Sequence, residues 1–474
     1  MESKPSEKTL GSQTSQEIVA GDGARSRQQD GVRTAAGNGM TSSNGTGSPA
    51  QEEVRPSESV QYASRRGRHA AIKLSTFRAL SNPSFKYLWI GQIGNSASLW
   101  MEQVVRPLLV LELTGSPLLL GLVVAARTVP QLVFGLFAGV AADRYDKRKV
   151  LIYAQSVMFL MHLTLGTLLV THNIQIWQIF ATAVLAGVAT SFLQPTRQSL
   201  IPRLVPPDGL LNAVALNSAA GNVMRVVGAS LAGLLLIAFD YGEVYLVDAL
   251  IYAGIIATTF KIHVPKEGGE GRVRGSVIKD LFEGLRYVRD NRTALYLVAT
   301  ALILFIFGQP YQQVFIPLLA VDVLGVGRSW VGAMLAITGV GAFGGSMIVA
   351  SRSNVTHRGM IMLLGLIVFS LALILLAQSR WLPLSMVGLI IAGSMSTTYL
   401  SFNNSLLLEK TPPELHGRVM SLLSLDRGLV SLGSTLGGAL AQFVGPQWGL
   451  TMMAGICLVL SILALMSMKN VRSM

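Results

Sequence analysis

Long apolar runs dominate this sequence and restrict its fold more than any other feature. A helix needs about 20 apolar residues to cross a hydrocarbon core about 30 Å thick, and backbone groups inside that core must pair within their own segment. Twelve such runs occur, near residues 86–113, 117–141, 149–171, 175–199, 211–239, 243–262, 293–323, 329–351, 359–378, 382–408, 418–443 and 447–468. The chain is therefore predicted to be an all-α polytopic membrane protein with twelve transmembrane helices, numbered span 1 to span 12. Only 13% of its residues are charged, against about 25% in soluble proteins.

Lysine and arginine are distributed unequally between the two sides of these spans. The side of the amino terminus carries twenty: Arg144, Lys147, Arg148, Lys149, Arg197, Arg203, Lys261, Lys266, Arg272, Arg274, Lys279, Arg286, Arg289, Arg292, Arg352, Arg358, Lys410, Arg418, Lys469 and Arg472. The other side carries only Arg328 and Arg380. Because cytoplasmic loops are enriched in basic residues, we predict a plasma (inner) membrane protein with both termini cytoplasmic. The net charge of +13 then reflects membrane topology rather than nucleic-acid binding.

The chain is predicted to consist of two pseudo-symmetric six-helix bundles. Pro206-Pro207-Asp208 after span 4 is echoed by Pro412-Pro413-Glu414 after span 10, and Gly228 and Gly233 in span 5 are echoed by Gly433 and Gly438 in span 11, 205 residues later. The predicted domains are a disordered cytoplasmic tail 1–75, bundles 76–262 and 293–468, a cytoplasmic amphipathic linker 263–292 and a short tail 469–474. Repeated halves of one orientation are typical of carriers with a substrate site near the midplane.

Spans 2, 5, 8 and 11 each contain two small residues four positions apart. The pairs are Gly135 and Gly139, Ala229 and Gly233, Gly341 and Gly345, and Gly433 and Gly437. This spacing lets helix backbones approach closely. Both a sliding contact between the halves and static packing within them are compatible with it.

The connection after span 2 reads Gly139-Val140-Ala141-Ala142-Asp143-Arg144-Tyr145-Asp146-Lys147-Arg148-Lys149. It resembles the loop 2–3 signature of the major facilitator superfamily, Gly-x-x-x-Asp-Arg-x-Gly-Arg-Lys, with Asp146 in place of the second glycine. Residues 85–92 (Phe-Lys-Tyr-Leu-Trp-Ile-Gly-Gln) and 111–116 (Leu-Glu-Leu-Thr-Gly-Ser) look like the subgroup of enterobactin and macrolide exporters. The resemblance implies a secondary transporter whose cavity is lined by spans 1, 4, 7 and 10. Ala229 replaces a proline that exporters of the superfamily often carry, which weakens, without removing, the argument for export and for proton antiport.

Gating is predicted at the cytoplasmic end of span 2. Asp143 ends that span, and a helix that begins near Arg418 would present a positive N-terminus to it, worth about 0.3–1 kcal/mol to the closed state. The residues assigned to gating are Gly139, Asp143, Arg144, Arg148, Arg418 and Asp426. The alternative is that the basic residues only anchor the topology.

Four ionisable residues at membrane depth are the candidate substrate or proton site, because each costs at least about 2.5–3.5 kcal/mol to place there. They are Glu102, Arg106, Arg127 and Arg225. Burial disfavours the charged form of Glu102 and a neighbouring arginine favours it, so this carboxyl could load and release a proton. Two alternatives stay open: Glu102 forms a structural ion pair with Arg106 or Arg127, or Arg106 and Arg225 hold an anionic or phenolate substrate.

Other functional classes find no support in the sequence. It contains no H-E-x-x-H or G-x-S-x-G motif of an enzyme and no Gly-Lys dipeptide of a P-loop. We expect no cofactor, no metal site, no nucleic-acid partner and no obligate protein partner; Asp248 and His162 are expected to be structural. The predicted function is proton-coupled efflux of amphipathic compounds of drug, macrolide or siderophore type. The alternative is uptake of a polar or anionic solute, because the residues do not encode the direction of transport.

Overall fold

The computed structural model describes residues 77–264, 277–351, 357–412, 415, 416, 419 and 426–468. For Leu136 and for residues 139–144, 277–281, 426 and 427 within these ranges, it describes the backbone only. The predicted tails 1–75 and 469–474, and Arg418, lie outside the described residues.

The described chain is helical, and twelve of its helices correspond to the predicted spans. They are Pro83–Thr114, Pro117–Arg144, Lys147–Val170, Ile176–Leu204, Leu210–Ala238, Tyr241–Phe260, Arg292–Val323, Ser329–Ser351, Arg358–Gln378, Leu382–Lys410, Asp426–Val444 and Pro446–Ser467. Ten are long and apolar enough to cross a membrane; span 1 has 32 residues but includes several charges, and span 11 has a shorter apolar section, Gly428–Val444. The prediction of an all-α polytopic membrane protein is confirmed.

Short polar and glycine residues set the ends of spans 1 and 3. The Asn82 side chain accepts hydrogen bonds from the first backbone N–H groups of span 1, and Gly115 ends this helix in the left-handed region at φ +60°. Asp146, which occupies the place of the signature glycine, accepts from the N–H groups of Arg148 and Lys149 at 2.9 and 3.3 Å. It is therefore the N-cap of span 3.

Span 7 is the least regular of the membrane helices. Its α-helical part ends at Ile303 and is followed by a π-helical turn, Leu304–Gly308, and a 3₁₀ turn, Gln309–Tyr311. Pro310 lacks a backbone N–H and its ring clashes with the preceding turn, which explains the break at this point.

A further helix, Val277–Asp290, lies within the predicted linker between the halves. Arg286 and Arg289 are 79% and 78% exposed, whereas Val288 is buried. The Tyr287 hydroxyl donates to the carbonyl of Lys410 at 2.9 Å, which attaches this helix to span 10.

The two halves, spans 1–6 and spans 7–12, meet along two pairs of helices: span 2 with span 11, and span 5 with span 8. We call the end at which spans 2, 4 and 6 finish the basic end, because it carries the basic connections, and the other end the opposite end. Near the opposite end, a Cβ added at Gly233 would lie 2.5 Å from the Ser329 carbonyl oxygen, and one at Gly332 would collide with the Ala229 carbonyl. Spans 5 and 8 therefore touch backbone to backbone.

Spans 11 and 2 repeat this contact. A Cβ added at Gly438 would lie 2.5 Å from the Pro117 carbonyl oxygen, and one at Gly121 would collide with the Ser434 carbonyl. Gly438 follows Gly233 by 205 residues, the offset seen in the sequence. The internal repeat is thus present in the packing as well as in the sequence.

Among the predicted small-residue pairs whose two members are both fully described, only Ala229 and Gly233 lie at the boundary between the halves. Gly341 packs on the backbone of span 10 and Gly433 on that of span 7, so these glycines serve packing within the carboxy-terminal half. A Cβ at Gly135 would meet no atom within 4 Å. The sliding interpretation is therefore wrong for two of the four pairs, those in spans 8 and 11, because the spacing alone does not specify which neighbour a helix face meets. The pair in span 2 stays a prediction, since only the backbone of Gly139 is described.

Polar contacts also join the halves at the opposite end. Arg328 Nη2 lies 2.6 Å from Asp240 Oδ1, and its guanidinium carbon lies 5.2 Å from the ring centroid of Tyr241. The hydrogen bond to Asp240 raises the pKa of Arg328 above its ordinary value. Ser116 Oγ donates to Gln442 Oε1 at 2.9 Å. With the glycine contacts, these bonds close the opposite end of the molecule.

Candidate transport site

A cavity of about 260 Å³ lies at mid-depth, mainly within the amino-terminal half and bounded by the other half. Spans 1, 2 and 4 supply most of its wall, and Gln313 of span 7 and Val430 of span 11 complete it. The wall mixes apolar side chains with amides and charges. It consists of Asn95, Leu99, Glu102, Gln103, Arg106, Pro107, Leu120, Val123, Val124, Arg127, Thr128, Gln131, Thr190, Leu193, Gln194, Gln313 and Val430. Spans 1, 4 and 7 contribute as the resemblance implied, but spans 2 and 11 take part and no residue of span 10 does.

Glu102 forms the charged centre of this wall and is 1% exposed. Its Oε1 accepts hydrogen bonds from Arg106 Nε at 2.9 Å and Nη2 at 2.6 Å, and its Oε2 lies 2.9 Å from Arg127 Nη1. The structure therefore brings together three of the four predicted site residues. The ion pair named as an alternative in the sequence is present, and it involves both arginines rather than one.

Local packing explains why these three side chains converge. Glu102 and Arg106 are one helical turn apart on span 1 and therefore share a face. Arg106 is held further by span 4, since its Nη1 donates to the Ile179 carbonyl at 3.2 Å and to Thr182 Oγ1 at 3.3 Å. Gly187 leaves no room for a Cβ against the backbone of Arg127, so spans 2 and 4 approach closely at the level of the ion pair.

Arg225 lies apart from this cluster. Its guanidinium carbon is 4.9 Å from the centroid of a Trp100 ring, and its Nη2 donates to Gln312 Oε1 at 3.4 Å. Since Gln312 belongs to span 7, Arg225 links the two halves. It does not line the cavity that contains Glu102.

The predicted gate falls mostly where side chains are not described. At Gly139, Asp143, Arg144 and Asp426 only the helix backbone is described, and Arg418 lies outside the described residues. Arg148 donates to the Phe260 carbonyl and lies 6.0 Å from the centroid of the Phe260 ring. This contact joins the start of span 3 to the end of span 6, within one half. The gating assignment therefore stays a prediction.

The sequence interpretation underestimated the polar interior behind the cavity. His162 is not isolated: its ring centroid lies 5.2 Å from that of Tyr252 and 5.9 Å from that of Tyr245. Arg197, counted with the connection after span 4, is 1% exposed inside that span and donates to Gln92. A polar stripe at helical spacing along span 1 could have indicated this interior. It consists of Gln92, Asn95, Ser98, Glu102 and Arg106.

The described side chains offer no arrangement suited to a metal ion. Among the described residues, no group of three or more His, Cys, Asp or Glu side chains is placed to bind a metal ion. What the site offers chemically is a buried carboxylate, two guanidiniums and several amides around a partly open cavity.

Comparisons with known proteins agree with this architecture. The chain is 24% identical to macrolide efflux protein A of Streptococcus pyogenes, over 77% of this chain and 90% of that protein. It is 24% identical to the staphyloferrin A transporter of Staphylococcus aureus, over 75% and 86%, and 24% identical to the enterobactin exporter EntS of Shigella boydii, over 83% and 93%. A bacterial homologue of the human lysosomal transporter Spinster has the same fold, with a TM-score of 0.65, 16% identity and coverage of 82% of this chain and 98% of that one.

A family model described as transmembrane secretion effector matches residues 74–474, which include every described residue. The match extends through both halves and the helix that connects them. The chain therefore belongs to the transmembrane secretion effector family of the major facilitator superfamily, and it is a multi-pass membrane transporter of small molecules rather than an enzyme.

Proposed function

We propose that this transporter exports amphipathic organic compounds of the drug, macrolide or siderophore type in exchange for protons, with Glu102 as the coupling carboxylate. The observation that carries the proposal is the position of Glu102, a buried carboxylate at the wall of the cavity and in contact with two arginines. The direction is supported by relatives that are named for macrolide efflux and enterobactin export.

A proton on Glu102 competes with Arg127. The ionised carboxylate ties span 1 to span 2 through the 2.9 Å contact with Arg127, whose side chain is 15% exposed. Protonation removes the negative charge, and the guanidinium is then free to turn towards a substrate in the cavity. Span 2 also packs on span 11 of the other half. A shift of Arg127 would therefore change the contact between the two halves, which must move relative to each other during transport.

The charge of the wall supports a particular class of substrate. Glu102, Arg106 and Arg127 together carry one positive charge when all are ionised, and one more when Glu102 is protonated. Apolar side chains such as Leu99 and Val430 line the same space. Amphipathic compounds with an acidic or phenolic group therefore suit the cavity better than permanently cationic ones.

The distribution of basic residues supports the membrane orientation. We infer that the basic end faces the cytoplasm of a cell membrane, with both termini on that side. The contacts at the opposite end then close the outer side, so the conformation is one closed to the outside. Gating at the basic end is proposed for Gly139, Asp143, Arg144, Arg148, Arg418 and Asp426.

Transport across liposomes tests the proposal. The full-length protein is reconstituted with a proton-sensitive dye inside, a pH gradient is imposed, and movement of a macrolide, a catechol siderophore and a cationic dye is followed. Wild type should drive substrate uphill against proton flux, and Glu102→Gln should abolish this because the variant cannot bind and release the proton. Wild type that moves none of the compounds, or uphill transport that survives Glu102→Gln, would contradict the proposal.

Two controls separate coupling from folding. Glu102→Gln leaves the guanidiniums of Arg106 and Arg127 without their carboxylate. Breaking a buried ion pair in this way costs about 3–5 kcal/mol. Exchange of labelled for unlabelled substrate without a gradient should persist if the variant is folded. Glu409→Gln makes the same substitution in an exposed ion pair with Arg358 and should leave transport unchanged.

A further inference from the structure

A second buried carboxyl group lies in the amino-terminal half, outside the wall of the cavity. Asp248 of span 6 is 1% exposed and lies beside the hydroxyl of Ser98 on span 1. Glu102 has two arginine partners, whereas no Lys or Arg among the described residues lies at ion-pair distance from Asp248. Neither oxygen of Asp248 accepts a hydrogen bond of normal geometry from a described protein group.

The groups around Asp248 do not offer it a positive charge. Titratable and charged side chains from five spans surround Asp248 and the two tyrosines of span 6 beside it. They are Glu102 and Arg106 on span 1, Arg127 on span 2, His162 on span 3, Arg197 on span 4, and Tyr245 and Tyr252 on span 6. Arg106 and Arg127 are bound to Glu102, and Arg197 donates to Gln92.

The histidine near this cluster donates to a backbone carbonyl. His162 Nδ1 lies 2.7 Å from the Met158 carbonyl, which requires the proton on Nδ1. Its Nε2 is buried and has no described protein partner. Since burial of an imidazolium without a counter-ion is unfavourable, this ring does not compensate a charge on Asp248.

An ionised carboxylate in such surroundings is unfavourable, because burial removes its hydration and no donor or cation of the described part of the chain replaces the water. The negative charge of Glu102 nearby adds a like-charge interaction. A protonated carboxyl is neutral and can donate to Ser98 Oγ. We propose that Asp248 holds a proton in this conformation and forms a second proton-binding site, separate from Glu102.

The two carboxyl groups would then differ in charge within one conformation: Glu102 ionised between its arginines, and Asp248 protonated. The protonated state of Asp248 in this conformation follows from its surroundings alone, whichever compound is transported. A role of Asp248 in transport rests on the proposed proton-coupled function. In that role, the number of protons exchanged per substrate would depend on both Asp248 and Glu102.

Infrared spectroscopy of the reconstituted full chain tests the occupancy directly. A protonated carboxyl gives a C=O stretching band that an ionised carboxylate lacks. We expect such a band at neutral pH, shifted in D₂O and lost in Asp248→Asn. A spectrum without the band, or a band that survives Asp248→Asn, would overturn the proposal.

Asp248→Asn replaces a neutral acid by a neutral group of the same shape, so its Tm should match wild type, whereas that of Glu102→Gln should fall. A large loss of Tm in Asp248→Asn would indicate that the native group is ionised. If this variant cannot be isolated, Ser98→Ala provides the test: removal of the neighbouring hydroxyl should shift the same band, and an unshifted band would refute the contact.

Transport measurements separate this inference from the proposed function. Asp248→Asn should lose proton-driven export while keeping substrate exchange without a gradient. Wild-type export with an unchanged proton ratio in this variant would refute a transport role for the site. Absence of proton coupling in wild type would refute the proposed function but leave the infrared band of Asp248 in place.

Discussion

Replacing Gly332 by alanine should force spans 5 and 8 apart at the opposite end. The new Cβ would collide with the Ala229 carbonyl and lie 2.7 Å from Gly233 Cα. Carbon atoms in contact are about 3.5–4.0 Å apart, and both obstacles are backbone atoms, so the helices must separate by about 1 Å. Overpacking of this kind costs about 1–3 kcal/mol. Because only the state closed at the opposite end pays this cost, the equilibrium should shift about 5- to 150-fold towards opening.

Distances between spin labels can measure this shift. Labels at Asn173 and Arg380, exposed positions in opposite-end connections of the two halves, report the separation after the buried Cys457 is replaced by alanine. Gly332→Ala should raise the population of long distances. Gly344→Ala is the matched control in the same helix, because its Cβ would meet no atom within 4 Å. A distance distribution that is identical in wild type and Gly332→Ala would refute the argument that backbone contact closes this end.

Two further predictions concern single interactions. Asp240→Asn and Arg328→Gln should each increase the population opened at the opposite end a few-fold at most, since an exposed ion pair is worth about 0.2–1 kcal/mol. The double reversal Asp240→Arg/Arg328→Asp should restore the wild-type label distance. A label distance that is not restored would argue against pairing of these two residues. Tyr399→Phe should lower the free energy of unfolding by about 0.5–1.5 kcal/mol, because the hydroxyl donates to Thr300 Oγ1 at 2.8 Å in a buried site. Thermal melting in detergent measures this loss. An unchanged Tm would show that the hydrogen bond does not stabilise the fold.

Local features of the chain were predictable because they depend on neighbours in sequence. The twelve spans follow from the lengths of apolar runs, and the pairing of Glu102 with Arg106 follows from their spacing of one helical turn. The correspondence between Gly233 and Gly438 was also predictable, since a comparison of the chain with itself reveals it. These inferences require no knowledge of which helices are adjacent.

Contacts between helices distant in sequence were not predictable in this way. Glycines four residues apart occur in several spans, yet Gly332 and Gly121, at the actual boundary between the halves, do not belong to the predicted pairs. A glycine permits close approach on its face, but the rotation of each helix about its axis decides which neighbour it meets. That rotation depends on the packing of all twelve spans together.

The sequence by itself determined that this protein is a helical membrane transporter with an internal repeat and a carboxylate in span 1. Only the tertiary structure decided that Glu102 has a second arginine partner, Arg127, that Arg225 lies away from the cavity, and that Asp248 is buried with no cation among the described residues at ion-pair distance. The physical reason is that apolar length and helical spacing are properties of one segment. The charge balance of a buried group is instead the sum over every helix that surrounds it.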